Sequence, residues 1–205
     1  MKTMNKTIFK GIIMLLAAMV MTGCDSFLDI TPTGKVIAKT GKEYRALLTY
    51  EYKNFPEDRG LATLRGDEIT LDKTTTKAED YDSYFDIWAW NDLSQQSTTV
   101  SFGWRRYYHA IYIANYIIEN KDKITEATAD EINQLVGEAY MMRAYCHFLL
   151  VNLFAEPYTH CNAATTRGVP LSLKADVNAV LSCSSVEQVY QQVVDDVATA
   201  KKHLT

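Results

Sequence analysis

The stretch from Arg65 to Asn91 carries the side chains best suited to holding a ligand without cleaving it. Sugars present apolar C–H faces and rims of hydroxyl groups. A site that binds them therefore needs flat aromatic rings and nearby polar groups that form paired hydrogen bonds. This stretch supplies such a set in Arg65, Asp67, Trp88, Trp90 and Asn91. The same residues also fit a structural role, in which both tryptophans seal the loop onto neighbouring helices.

Two pairs of adjacent cysteine and histidine residues, Cys146-His147 and His160-Cys161, superficially suggest a metal site. Adjacent ligands on one helix diverge by about 100°, and neither C-x-x-C nor H-x₃-H spacing is present. We therefore expect a buried thiol at Cys146, with no metal and no other cofactor. In an exported protein, Cys161 and Cys183 could form a disulfide or remain free thiols.

The sequence gives little support to catalysis. It contains no glycine-rich phosphate loop, no G-x-S-x-G elbow and no H-E-x-x-H helix. Adjacent carboxylates at Asp67-Glu68 and Asp195-Asp196 could in principle serve a glycosidase. Adjacent acids more often face solvent or cap helices, so the sequence favours a binding protein over an enzyme.

Four helical segments organise the chain, with apolar residues at i, i+3 and i+4 spacing in residues 98–120, 129–154 and 186–204. Three helix starts carry a capping box, at Thr40-x-x-Glu43, Thr128-x-x-Glu131 and Ser184-x-x-Glu187. Residues 54–97 and 156–183 are expected to be irregular, as long loops or short strands. The pattern predicts an all-α fold whose helix pairs resemble tetratricopeptide packing.

Three polar residues lie within these otherwise apolar helices. Glu138 and Arg143 must be paired if they are buried, so we expect structural ion pairs or helix-cap contacts there. Asn115 is expected to bond between helices or to a loop backbone. None of the three is predicted to contact a ligand.

Cys24 directly follows a sequence that is typical of an export signal. A leader with three lysines precedes an apolar run of about 11 residues, which is shorter than the roughly 20 needed to cross a bilayer. The small pair Thr22-Gly23 then leads into the cysteine. This order predicts a lipoprotein signal peptide over residues 1–23 and a lipid anchor on Cys24.

The charge of the chain argues against nucleic-acid binding. There are 21 Lys and Arg against 25 Asp and Glu, for a formal net charge of −4. Removal of residues 1–23 takes away three lysines, which leaves 18 basic against 25 acidic residues and a charge of −7. Proteins that bind nucleic acid need clustered Lys and Arg to displace phosphate counterions, and the basic residues here are scattered among acids.

Several segments, taken in order, resemble the SusD/RagB family of nutrient-binding outer-membrane lipoproteins. The first is the start of the mature chain, from Cys24 to Pro32, and the last is the final helix. The intervening segments are Trp104-Arg105-Arg106-Tyr107-Tyr108-His109-Ala110-Ile111 with Ala114-Asn115, Gly137-Glu138-Ala139-Tyr140-Met141-Met142-Arg143-Ala144-Tyr145, Leu153-Phe154-Ala155-Glu156-Pro157-Tyr158 and Gly168-Val169-Pro170. Ala155 departs from the family, which often has glycine there.

The resemblance implies a surface-exposed lipoprotein of the outer membrane that captures nutrients, either oligosaccharides or peptides, and delivers them to a SusC-like TonB-dependent transporter. It also implies that residues 24–205 are the N-terminal helical domain of a longer chain, because family members are usually much longer. The C-terminal region would then cover part of the helical surface and supply much of the ligand site. By itself the segment should expose an apolar patch. The competing functions are a tetratricopeptide-type protein-interaction scaffold on the outer membrane and a surface glycosidase.

Overall fold

The computed structural model describes residues 37–56, 58–93, 95–100 and 102–204. The predicted signal peptide and Cys24 lie outside these residues. The helices are α1 (Gly41–Lys53), α2 (Asp58–Thr63), α3 (Ala78–Trp88), α4 (Arg105–Asn120), α5 (Ala129–Phe154) and α6 (Val186–His203). Two short strands, β1 (Arg167–Pro170) and β2 (Cys183–Ser185), pair antiparallel, and 3₁₀ turns lie at Lys121–Lys123 and Tyr158–His160. The predicted mainly helical fold is confirmed.

Two of the three predicted capping boxes form where they were expected. Thr40 Oγ1 accepts from the backbone N–H of Glu43 at 3.3 Å, and Glu43 Oε2 accepts from the N–H of Thr40 at 2.9 Å. The reciprocal pair at the start of α5 joins Thr128 and Glu131, at 3.2 and 2.7 Å. Each box satisfies backbone donors that would otherwise be unpaired at the helix start.

The third capping box was predicted one residue too early. The cap of α6 is Ser185, whose Oγ accepts from the N–H of Gln188 at 3.2 Å, while Gln188 Oε1 accepts from the N–H of Ser185 at 2.9 Å. Ser184 lies in the middle of β2, which pairs with β1. Because Val186 N–H also donates to the carbonyl of Thr166 at 3.0 Å, the chain stays extended through Ser185.

Residues 54–97 were expected to form loops or short strands, and this was wrong in part. The stretch contains α2 and α3, and no strand is present in its described part. On α3, Tyr81, Phe85 and Trp88 follow one another at helical spacing, and their ring centroids are 5.1 and 5.9 Å apart. Helix α4 begins at Arg105, several residues later than predicted, because Val100 N–H donates to the carbonyl of Ser83 at 3.0 Å and the chain there bends back to α3.

Helix α5 is the centre of the helical core, and it packs most extensively against α6 and α4. The buried face is apolar and includes Leu48, Ile111, Leu135, Cys146, Leu150 and Val189. Cys146 is therefore the buried thiol that was predicted. None of the described helices combines the length and apolar character that a bilayer span requires. Large apolar side chains on α5 and α6 remain exposed, namely Met141, Tyr145, Phe148, Val194 and Val197.

A buried polar network joins α4, α5 and α6. Arg143 donates from Nε to Asp196 Oδ2 at 2.8 Å and from Nη2 to Asp196 Oδ1 at 2.6 Å. Its Nη1 donates to Asn115 Oδ1 at 2.8 Å, and Asn115 Nδ2 donates in turn to the carbonyls of Ser172 and Lys174. The structural roles predicted for Arg143 and Asn115 are confirmed.

Glu138 also has a structural role, at the surface of the same helix. Its Oε2 accepts from Arg45 Nη1 at 2.6 Å and from the Tyr52 hydroxyl at 2.8 Å. Gln134, one turn earlier on α5, donates to the other carboxylate oxygen at 2.7 Å. These contacts join α1 to α5, and they confirm the predicted ion pair of Glu138.

The stability of the fold should depend on pH through His147. Burial lowers the pKa of His147 to about 4, and the neutral ring accepts from the N–H of Ser172 at 3.3 Å through Nε2. In the unfolded chain a histidine titrates near 6.5. Between these values the unfolded chain binds a proton that the folded chain excludes, so the free energy of unfolding falls as the pH is lowered from about 6.5 to 4, by about 3 kcal/mol in total.

Urea titrations at pH 7.5, 6 and 5 measure this dependence. His147→Gln keeps an acceptor for Ser172 but cannot titrate, so its free energy of unfolding should change less with pH. His160→Gln, at an exposed histidine, is the matched control and should retain the dependence of the unmodified protein. Equal pH dependence in the two variants would show that His147 does not carry the effect.

Candidate ligand-binding site

Trp90 occupies an unusual backbone position at the end of α3. Its N–H donates to the carbonyl of Ile87 at 3.2 Å, and the N–H of Asn91 donates to the carbonyl of Asp86 at 2.8 Å. These are the two hydrogen bonds of a Schellman motif, in which the first residue beyond the helix cap adopts a left-handed conformation and is usually glycine. Trp90 adopts it with a φ of 56°. A side chain at such a position costs about 1 kcal/mol or more, and strained positions of this kind cluster at ligand sites.

The indole of Trp90 is both exposed and supported. Its exposed fraction is 62%, and the guanidinium of Arg65 lies over the ring, 4.8 Å from the centroid. Arg65 also lies 5.6 Å from the centroid of Phe102 and forms an ion pair with Asp92. The aspartate neutralises the arginine and fixes its plane against the indole. The result is a flat aromatic surface with charged hydrogen-bonding groups at its edge.

Asp86 organises the backbone that follows Trp90. This carboxylate is buried, and it accepts from the Thr99 hydroxyl at 2.6 Å, the N–H of Gln96 at 2.7 Å and Asn91 Nδ2 at 2.9 Å. These hydrogen bonds hold the pKa of Asp86 below its usual range, and the bond from Thr99 has the largest effect. The Asp86 side chain therefore anchors both ends of the segment that follows α3, at Asn91 and at Gln96 and Thr99.

Removing this anchor should open the segment after α3 without unfolding the helical core. In Asp86→Ala, the amide of Gln96 loses its acceptor and should exchange hydrogen at least about tenfold faster, while amides in α5 keep their rates. Asp82→Ala, at an exposed acid one turn earlier on α3, is the matched control and should leave both unchanged. Unchanged exchange at Gln96 in Asp86→Ala would contradict the anchoring role.

The structure brings together some of the five residues predicted for the site. Trp90 and Arg65 touch, as described above. Trp88 is half-buried, and its Nε1 donates to the carbonyl of Ile69 at 3.0 Å, so this tryptophan seals the loop, as the structural interpretation held. Asn91 supports Asp86. Asp67 is exposed, and its carboxylate has no hydrogen bond within the described part of the chain.

The sequence interpretation missed three residues of this cluster. Asp92 could have been found, because it directly follows the predicted Trp90 and Asn91. Asp86 gave a weaker signal, as an acid between the apolar Phe85 and Ile87 on a helix. Phe102 lies beyond the stretch considered, and only the fold brings it to Arg65.

A cavity of about 440 Å³ opens in the same region of the chain. Its lining is mostly apolar and consists of Gly60, Leu61, Thr63, Leu64, Ile69, Tyr84 and Val100. Ile69 is also the residue whose carbonyl accepts the hydrogen bond from Trp88. The region between α1 and α4 therefore offers a concave apolar surface together with the exposed indole.

The structure also shows where the cysteines and the adjacent acids considered in the sequence analysis lie. Cys161 and Cys183 are free thiols rather than a disulfide. Within the described residues, no three His, Cys, Asp or Glu side chains are placed to hold a metal ion. Asp196 is bound by Arg143, whereas its neighbour Asp195 is exposed and accepts from Gln191 at 2.9 Å, so the two acids do not face a common substrate.

The described residues form a mainly helical fold packed around α5, with an exposed aromatic side chain on the connection between α3 and α4. A family model described as "Starch-binding associating with outer membrane", SusD-like, matches residues 27–205. The chain belongs to this SusD-like family.

Individual relatives agree with this assignment. SusD-like protein P38 of Formosa agariphila is 26% identical over 208 residues, which cover 98% of this chain and 38% of the relative. SusD-like protein P25 of the same organism is 26% identical over 62% of this chain and 24% of its own length. This chain therefore spans well under half of the curated relatives that it matches.

Solved structures show the same fold. A SusD superfamily protein from Bacteroides vulgatus superposes with a TM-score of 0.68 at 18% identity, over 82% of this chain and 38% of that one. A SusD superfamily protein from Bacteroides thetaiotaomicron gives a TM-score of 0.61 at 24% identity, over 81% of this chain and 38% of its own. A putative sugar binding protein from Bacteroides vulgatus gives 0.66 at 18% identity, over 83% and 38%.

Proposed function

We propose that this chain belongs to a surface-exposed outer-membrane lipoprotein that binds oligosaccharides and delivers them to a SusC-like TonB-dependent transporter. The observation that carries the proposal is the exposed indole of Trp90, which is held in a strained conformation with the guanidinium of Arg65 against it. An aromatic side chain exposed at a position that favours glycine lowers stability, so it is more readily explained by ligand binding than by packing. The starch-binding description of the family supports the same ligand class.

In this proposal, the indole packs against the apolar face of a sugar ring. Arg65 and Asp92 lie beside it and supply charged groups for the hydroxyl rim. Asn91 and Asp86 hold the backbone beneath. Asp67 is exposed and free to contribute a further acceptor. The protein binds sugars without cleaving them.

Screening the native protein against an array of neutral oligosaccharides tests the ligand class. Saturable binding to at least one of them is expected. Absence of binding across the array, or sustained hydrolysis of a bound oligosaccharide, would overturn the proposal.

The proposed lipid anchor is tested at Cys24. The variant Cys24→Ala should be released from washed outer membranes, because several buried acyl chains at about 0.8 kcal/mol per CH₂ would provide the attachment. A variant that stays with the membranes would contradict anchoring through this residue.

The proposed partner is tested by purification from gently solubilised membranes. A barrel-sized transporter should co-purify with the tagged native protein. Its absence, with the tagged protein intact, would count against delivery to a transporter and in favour of a separate scaffold role.

A further inference from the structure

A second cavity, of about 300 Å³, lies between the end of α1 and the start of α4. It is lined by Tyr50, Glu51, Asn54, Arg105, Arg106 and His109. None of these residues belongs to the Arg65 and Trp90 cluster, and none was predicted to bind a ligand. The lining combines two arginines, a histidine, a carboxylate, an amide and an aromatic ring.

The two arginines of this cavity are not neutralised by the residues described. Both are exposed, and no described carboxylate lies within ion-pair distance of either guanidinium. Helix α4 has no acidic residue in its first turn, where both arginines lie. An unneutralised arginine pair on a concave surface favours an anionic ligand.

The contact between Glu51 and His109 orients the imidazole ring of His109 in the cavity. The Glu51 side chain is only 6% exposed, and its Oε1 lies 3.1 Å from Nδ1 of His109, whose side chain is 56% exposed. This contact with the buried carboxylate holds the imidazole ring in place. Nε2 remains at the exposed edge, where it can bond to a hydroxyl group.

We propose that this cavity binds an anionic sugar residue, one that carries a carboxylate or a sulfate group. Arg105 and Arg106 hold the anionic group, because the guanidinium fork matches two oxygens of either anion. His109 Nε2 bonds to a ring hydroxyl, and the exposed ring of Tyr50 packs against the sugar face. The inference that the ligand is a sugar rests on the proposed glycan-binding function, whereas the inference that it is anionic rests on the cavity alone.

Calorimetric titration of the native protein at about 0.15 M salt, where charges more than about 8 Å apart are screened, tests the site with three probes of similar size: trigalacturonate, a sulfated carrageenan tetrasaccharide and neutral maltotetraose. The double variant Arg105→Gln, Arg106→Gln should weaken binding of whichever charged probe is bound by at least about tenfold. The matched control is Lys121→Gln, Lys123→Gln, which removes two exposed charges at the other end of α4. It should change the affinity less than about twofold, because screened distant charges contribute little.

The probes also separate the two sources of the anion. Preference for trigalacturonate identifies a carboxylate site, and preference for the carrageenan tetrasaccharide identifies a sulfate site. Failure of both charged probes to bind overturns the proposal. Equal weakening by the arginine and lysine variants overturns it as well, because that result indicates general charge attraction. Binding of sodium sulfate as tight as that of the sulfated sugar contradicts a sugar ligand.

Failure here is distinguishable from failure of the proposed function. The neutral-sugar site depends on Trp90, and the anionic site depends on Arg105 and Arg106. Neutral binding that is lost in a Trp90 variant, with no charged-probe binding, leaves the proposed function standing and overturns this inference alone. Charged-probe binding that needs the arginines but not Trp90, with no neutral binding, supports this inference and counts against the Trp90 site.

Discussion

Replacing Asp196 with alanine should lower the free energy of unfolding by about 3–5 kcal/mol, the range measured when one partner of a buried ion pair is removed. The cost arises because the guanidinium of Arg143, buried between α5 and α6, would keep its charge but lose both bonds to the carboxylate. Gln192 Nε2 would lose its bond to Asp196 as well. With total stabilities of about 5–15 kcal/mol in typical domains, such a loss removes at least about a fifth of the stability of the fold.

The neighbouring acid provides a matched control. Asp195 is exposed, so Asp195→Ala should change stability by less than about 0.5 kcal/mol, as surface substitutions usually do. Urea denaturation of both variants measures the difference. A double variant, Arg143→Ala with Asp196→Ala, should cost less than the sum of the single variants, because no unpaired charge is left buried. Equal stability of Asp195→Ala and Asp196→Ala would contradict the network.

Local sequence signals predicted the long helices well. The helices that begin after Thr40 and Thr128 have a hydroxyl cap, a glutamate three residues later and a continuous apolar stripe, so each signal agrees with the others. The shorter α3 lacks such a start, since Lys77 occupies its cap position without a side-chain hydrogen bond. Thr76 and Glu79 have the spacing of a capping box, and acids lie in the first turn, but Thr76 precedes the observed cap by one residue.

The start of α6 shows where local information is ambiguous. Ser184 is followed three residues later by Glu187, and Ser185 is followed at the same spacing by Gln188. Both pairs meet the capping pattern. Pairing of β2 with β1 selects the second, and that pairing is a tertiary contact between segments distant in sequence.

The candidate site could be predicted in residue type but not in arrangement. Two tryptophans and an arginine within one polar stretch indicated sugar chemistry. Which tryptophan faces solvent was decided by the end of α3: Trp88 is the last residue of the helix, and Trp90 lies in the turn beyond it. The ion pair of Arg65 with Asp92 and the approach of Phe102 depend on the fold, and no local pattern encodes them.

Replacing Trp90 with glycine should separate ligand binding from stability. Glycine adopts a φ of 56° without steric cost, which should offset the lost contact with Arg65, itself worth about 0.5–1 kcal/mol. The free energy of unfolding should therefore change little. Trp90→Ala removes the same ring but keeps the strain, so it should be less stable than Trp90→Gly by about 1 kcal/mol. Urea denaturation of the two variants measures this difference.

Both Trp90 variants should lose oligosaccharide affinity to the same extent, because both lack the ring. Removal of a central aromatic anchor typically costs 2 kcal/mol or more, which corresponds to an affinity at least about 30-fold lower. Phe148→Ala is a suitable control, since Phe148 is an exposed aromatic residue on α5. It should leave the affinity unchanged.

Calorimetric titration of the native protein and of Trp90→Gly, with the neutral oligosaccharide that binds best on the array, tests oligosaccharide capture by the Trp90 surface most directly. The account predicts saturable binding by the native protein and an affinity at least about 30-fold lower in a variant of equal stability. Equal affinity in the two proteins would show that the exposed indole is not the binding surface.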